Sequence, residues 1–184
     1  MDRNYTPKLK ELYETKGKEI LLKELGLKNK MMLPKLLKVV VTMGDRNVVA
    51  DPKLIETMYN DLYLIAGQKP VVTKAKKAIA GFKLKQGMPL ACKVTLRKKM
   101  MYDFVYRLVN VALPRVRDFR GFNSSQFDGK GGFAFGIKEH VVFPEINYDH
   151  VDKIRGMNIV VLTSGKTPRD AKVLLEFFGF PFEN

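Results

Sequence analysis

Residues 37–43 read LKVVVTM, and the alternation in that run constrains the fold of everything around it. Along an extended strand, successive side chains point to opposite faces. Val39, Val41 and Met43 therefore share one side, and Lys38, Val40 and Thr42 share the other. The same division recurs in ACKVTLR, residues 91–97, where Val94 and Leu96 oppose Lys93, Thr95 and Arg97. One face is greasy and the other is cationic and hydroxylic, as expected of a sheet covered on one side only.

Further strands are expected over 71–75, 133–137 and 158–163, from their β-branched and aromatic content. Four helices are marked by their ends. Thr6-Pro7 opens the first, whose inward face is read as Leu9, Leu12, Tyr13 and Ile20, and Gly26 closes it. Asp51-Pro52 opens the second, lined by Leu54, Met58, Leu62 and Ile65 and ended by Gly67. The third runs from about Lys98 to Leu113 with Phe104, Leu108 and Ala112 inward, stopped by Pro114. The fourth starts at Thr167-Pro168 with Asp170 completing a capping box and finishes at Gly179. The centre of this order is β-α-β-β-α-β, a split βαβ core. The fold class is thus α+β: a mostly antiparallel sheet, helices on one face, the other face open. A chain of 184 residues with 46% hydrophobic content suits a single domain over residues 1–184.

The open face gains its meaning from charge. The formal net charge is +14, a field that favours a polyanionic partner. Between Asp61 and Asp103 there is no acidic residue, whereas Lys69, Lys74, Lys76, Lys77, Lys83, Lys85, Lys93, Arg97, Lys98 and Lys99 are all cationic. Because the run includes strands as well as loops, its repulsion is built into the fold, and nucleic acid is the expected relief. Arg115, Arg117 and Arg120 follow the third helix and suit phosphate, since a guanidinium fork matches phosphate oxygens. A membrane partner is not expected: no stretch approaches the ~20 apolar residues of a bilayer span, and the N-terminus MDRNYTPKLK carries no apolar signal core. The lone Cys92 fits a reduced, cytoplasmic compartment and reads as strand filler.

Other chemistries find little support. Ser164-Gly165-Lys166-Thr167 resembles the tail of a P-loop, but Val160 stands where the first glycine belongs, so capping by Thr167 explains it better. His140 and His150, with one distant cysteine, offer no metal spacing, and no catalytic constellation stands out. Neither an enzymatic role nor a cofactor is expected. KGGFAFGI, residues 130–137, approaches an RNA-recognition-motif strand, so a free-standing single-strand RNA-binding module stacking bases on Phe133 and Phe135 is the alternative. The plainer reading packs both rings inward.

Several segments carry a family resemblance. LIAGQKPVVTKAKKA (64–78), continuing through Gly81, Phe82 and Lys83 to Gly87, resembles the signature of the bacterial large-subunit ribosomal protein five family. ACKVTLR (91–97), PRVRDFRGF (114–122), FDGKG (127–131), FPEI (143–146) and FPF (180–182) resemble it too, in the same order. The resemblance implies a structural ribosomal protein that binds 5S rRNA and helps attach it in the central protuberance, with 23S rRNA as a further partner. It places 5S rRNA against the helix-free sheet face, here Thr42, Gln68, Thr95 and Arg97, to which the alternation adds Lys38 and Lys93. One departure is Thr42, often Asn in that family; a hydroxyl offers fewer hydrogen-bonding groups than an amide. The segment between the second and third strands is implied to reach the P-site tRNA, through Lys74, Lys76, Lys77, Gly81, Lys83 and Lys85. Lysines there would neutralise phosphates without reading sequence, and Gly81 is read as permitting close backbone approach. Residues 123–136 are implied to face the small-subunit head and its protein thirteen.

Overall fold

The computed structural model describes residues 5–148 and 151–183; His150 lies outside them. Five strands form one open antiparallel sheet: β1 (Leu36–Gly44), β2 (Val71–Lys74), β3 (Pro89–Leu96), β4 (Gly132–Ile137) and β5 (Met157–Thr163), in the order β2-β3-β1-β5-β4. Four helices accompany them: α1 over residues 8–25, α2 (Leu54–Ala66), α3 over residues 98–115 and α4 (Pro168–Phe177). The α+β class is as expected, and in the split core it is β5, not β4, that lies beside β1. Chain contacts divide into two compact units, one of residues 1–39, 97–135 and 160–184, the other of residues 40–96 and 136–159.

In the first unit α1 is not a uniform helix. Residues Tyr13–Gly17 form a π-helical turn between two α-helical stretches. Such a turn inserts one extra residue into the helical count and rotates everything after it. The expected inward position Ile20 therefore lies 42% exposed and Leu21 is fully buried in its place. Leu12, expected inward, is also exposed, while Leu9 and Tyr13 are buried as the pattern implied. Gly17 faces α4, where the Phe177 ring sits 2.8 Å from the point a Cβ would occupy. Gly26 then ends the helix in the left-handed conformation.

Pro114 does not stop α3. The helix continues through it to Arg115, preceded by a second π-helical turn, Leu108–Ala112, in which Leu113 N–H donates to Leu108 O. Phe104, Leu108 and Ala112 are fully buried, as expected. The Thr167–Asp170 capping box is present, the Thr167 hydroxyl accepting from Asp170 N and the Asp170 carboxylate from Thr167 N. A carboxylate thus occupies the helix N-terminus where a phosphate would have to bind. The loop before β4 closes with an aromatic cluster, Phe122 packing against Phe119, Phe133, Phe135, Phe180 and Phe182. The C-terminal tail holds it shut, Phe122 N–H donating to Pro181 O and Glu183 N–H to Phe122 O. Phe133 and Phe135 are buried, so neither ring is presented for base stacking.

The second unit is built on the β2–β3 hairpin and α2. Asp51 does not cap directly at Pro52; it accepts from Lys53 N across a turn, and the helix begins at Leu54. Ile55, Met58, Leu62 and Ile65 are buried, Leu54 only in part, and Gly67 ends the helix at φ 66. Cys92 is fully buried, its thiol against Ile55 O. β2 is a sheet edge of four residues, its register with β3 shifting between Thr73 and Lys74. A short, irregular edge bearing lysine resists pairing with another strand.

Candidate nucleic-acid interface

The alternation seen in the sequence is realised as burial. Val39, Val41, Met43, Cys92, Val94 and Leu96 are buried, while Lys93 is exposed and Lys38, Val40, Thr42 and Thr95 keep partial exposure. Within the second unit the strands and the loop after α2 bring Gln68 to Thr95: the Gln68 side-chain amide donates to Thr95 O at 3.3 Å. That bond uses a donor of Gln68 and the carbonyl of Thr95, and leaves the Thr95 hydroxyl and the Gln68 oxygen for a ligand.

Thr42 has a different neighbourhood. It lines a shallow hollow of about 600 Å³ with Lys138 and Asn158. Glycines at 44, 136 and 156 line the same hollow and leave the backbone bare at those three positions. Lys138 and Asn158 are exposed and were missed by sequence reasoning. The alternation of β5 carries the signal for Asn158, since buried Met157, Ile159 and Val161 leave it on the polar side. The Asn158 amide in the same hollow as Thr42 adds two N–H donors and a carbonyl acceptor to the threonine hydroxyl.

The segment between β2 and β3 is an ordered hairpin extension. Ala75 N–H donates to Met88 O at 2.8 Å and Gly87 N–H to Ala75 O at 2.9 Å; further out, Ile79 and Leu84 exchange bonds at 3.0 and 3.1 Å. A single 3-10 turn, Ala80–Phe82, makes the tip. Lys74, Lys76, Lys77, Lys83 and Lys85 are all exposed, and none forms an ion pair among the described residues. At Gly81 φ is not left-handed and nothing lies within 4 Å of an added Cβ, so the fold itself does not require glycine there. The left-handed residue is Lys83, at φ 55, a conformation that non-glycine residues adopt seldom. The tip also shows Ile79 and Phe82, 47% and 65% exposed, apolar groups that attention to lysines had passed over.

In the first unit Arg97, Arg115, Arg117 and Arg120 are all exposed. Arg97 directly follows β3, and Lys98, the first residue of α3, takes φ 52. None of the four arginines makes an ion pair among the described residues.

A buried network in the second unit had no sequence signal. Arg155, 3% exposed, lies 3.7 Å from Asp45 and 3.6 Å from Asp61, and His140 lies 3.5 Å from Asp61. Four residues scattered over the chain meet there, a meeting that no local spacing announces. Among the described residues no group of three or more His, Cys, Asp and Glu could hold a metal ion, and no helix is long and apolar enough to cross a membrane.

Two family models match the chain. One, described as Ribosomal protein L5, matches residues 29–85; the other, describing the C-terminus of the same ribosomal family, matches residues 89–182. Between them they take in the whole sheet, α2, α3 and α4.

Proposed function

The chain belongs to the ribosomal protein L5 family, structural constituents of the large ribosomal subunit that bind 5S rRNA, and from that premise we propose how its surfaces divide the work. Thr42, Gln68, Lys93 and Thr95 in the second unit, with Lys38 and Arg97 in the first, take 5S rRNA and help attach it in the central protuberance. Asn158 and Lys138 join Thr42 in that contact. Arg115, Arg117 and Arg120 hold rRNA phosphates, 23S rRNA among their partners. The β2–β3 hairpin meets the P-site tRNA through Lys74, Lys76, Lys77, Gly81, Lys83 and Lys85, and residues 123–136 serve a bridge to protein thirteen of the small-subunit head.

One observation carries the reading: a sheet face with hydroxyl, amide and ammonium groups next to a hairpin whose lysines have no counter-ion among the described residues. Cations left unpaired in a fold of net charge +14 repel one another until a polyanion lies against them. An RNA duplex or loop supplies phosphates for the lysines and base edges for Thr95 and Gln68.

Titration of 5S rRNA with the protein tests this. With about six phosphates contacted, affinity falls on the order of a thousandfold between roughly 50 and 200 mM salt. Thr95→Ala with Arg97→Ala weakens 5S binding, whereas Lys76→Ala with Lys77→Ala spares it and lowers retention of P-site tRNA on the ribosome. Equal loss of 5S binding in both pairs would refute the division between sheet face and hairpin.

A further inference from the structure

The first unit contains a cleft of about 670 Å³ that the sheet-face contact does not use. Its size lies within the roughly 300–1,000 Å³ of ordinary ligand pockets. Met31 and Met32 line it, 89% and 59% exposed, with Tyr13 and Tyr102 contributing the apolar interior. Lys18, Lys30, Lys35 and Lys166 also line it, and none of these makes an ion pair among the described residues. The two carboxylates present are already engaged, Glu14 with Lys10 at 3.6 Å and Asp170 in the α4 capping box.

The loop that carries the methionines is fixed at both ends. Asn29 Oδ1 accepts from Met31 N at 2.9 Å, and the Tyr13 hydroxyl donates to Pro34 O at 2.9 Å. Lys35 N–H donates to the Ser164 hydroxyl at 3.0 Å, and Ser164 N–H returns a bond to Lys35 O at 2.9 Å. Two thioethers are thus exposed on a loop held in place by hydrogen bonds. Met sulfur packs favourably against aromatic rings, and unpaired ammonium groups around it favour phosphate. A nucleotide strand alternates those two surfaces.

We propose that this cleft is a second RNA contact, seating an unpaired base against Met31 and Met32 while Lys30, Lys35 and Lys166 take the flanking phosphates. The proposal rests on the rRNA-binding reading above and adds to it a site away from the sheet face. It also gives Lys166 of the Ser164–Thr167 segment a role that helix capping leaves open. An acidic polypeptide offers carboxylates but a ring only where an aromatic residue happens to stand beside them, whereas every nucleotide pairs a ring with a phosphate, and so the peptide is the weaker occupant.

Oxidative footprinting of the full chain tests it. In the free protein Met31 and Met32 oxidise quickly while Met43, Met58 and Met101, at most 2% exposed, are spared. Deproteinised large-subunit rRNA should protect Met31 and Met32 strongly, and Met31→Ala with Met32→Ala should weaken rRNA binding about three- to thirtyfold. Both residues are exposed, so the variant retains the native circular dichroism. If the chain binds rRNA with steep salt dependence yet both methionines oxidise at the free rate, the cleft is not a contact and the sheet-face reading survives. If the chain binds no rRNA at any salt concentration, that reading itself falls, and this proposal with it. Equal protection by inorganic polyphosphate reduces the site to charge alone and overturns the seated base. Protection by polyglutamate but not by rRNA overturns the choice of partner.

Discussion

His140 and Arg155 are joined backbone to ring: Arg155 N–H donates to His140 Nδ1 at 3.1 Å, and Arg155 O takes the backbone N–H of His140 at 3.0 Å. The ring Nδ1 also lies 3.2 Å from Arg155 O, and Nε2 faces the Asp61 carboxylate at 3.5 Å. The Arg155 guanidinium lies between Asp61 and Asp45 at ion-pair distances beyond hydrogen-bond reach. Asp45 also accepts from Asn47 N and pairs with Lys153 at 3.3 Å. The pair of ends of the β4–β5 connection is therefore tied by backbone bonds and fastened electrostatically to the residues after β1 and within α2.

This network makes stability depend on pH. Burial holds the His140 pKa below its ordinary 6.5, against the opposing pull of Asp61. The unfolded chain therefore takes up a proton near pH 6.5 that the folded chain refuses, and stability drops as pH falls below that value. Asp45, held below its ordinary 3.8 chiefly by the Asn47 N–H, loses its contribution only at much lower pH. Asp61, raised above 3.8 by burial, works the other way: its protonation on acidification relieves a penalty. Urea unfolding at pH 7.5 and 5.5 should show the drop, at no more than about 1.4 kcal/mol per pH unit, and His140→Asn should flatten it. A His140→Asn protein with an unchanged slope would place the dependence elsewhere.

Removing Arg155 takes a buried guanidinium away from two partly buried carboxylates. Arg155→Ala should cost about 3 kcal/mol, the lower end for breaking a buried pair, because Asp61 and Asp45 keep some solvent access. Arg155→Ala combined with Asp45→Asn and Asp61→Asn should recover part of the loss. Denaturant midpoints of the single and triple variants measure it.

The π-helical turn in α1 predicts an inverted pair of costs. Leu21→Ala should destabilise by about 2–5 kcal/mol, since Leu21 is fully buried. Ile20→Ala should change stability by no more than about 0.5 kcal/mol, as for an exposed site. A regular helix with Ile20 inward would give the reverse order in thermal unfolding.

Glycines 81 and 131 should part company. At Gly131, φ is 79 and an added Cβ would collide with the Gly165 carbonyl, so Gly131→Ala should cost about 2–4 kcal/mol. Gly81→Ala should be neutral or stabilising by up to ~1 kcal/mol. Any loss of tRNA retention in Gly81→Ala then reports the contact itself, because the fold is untouched.

Much of this was legible because it is local. A left-handed glycine at 26, 67 or 179 and a Thr–Asp capping box act within a few residues, so spacing alone reveals them. The alternation of β1 and β3 likewise needs only the strand itself. Where the reading failed, a distant partner or an added residue intervened. The period of α1 assumed 3.6 residues per turn throughout, and one π-helical turn displaced Ile20 by Leu21.

By itself, then, the order of amino acids determined the succession of strands and helices and the two-sided character of the sheet, because both follow from backbone geometry and short-range capping. Only the tertiary structure decided that Phe133 and Phe135, read as inward from the sequence, pack on Phe122, that Arg155 finds Asp45 and Asp61, and that Met31 and Met32 stay in solvent among unpaired lysines. Those outcomes depend on which remote surfaces meet, and contact energies between remote surfaces are written in no single stretch of the chain.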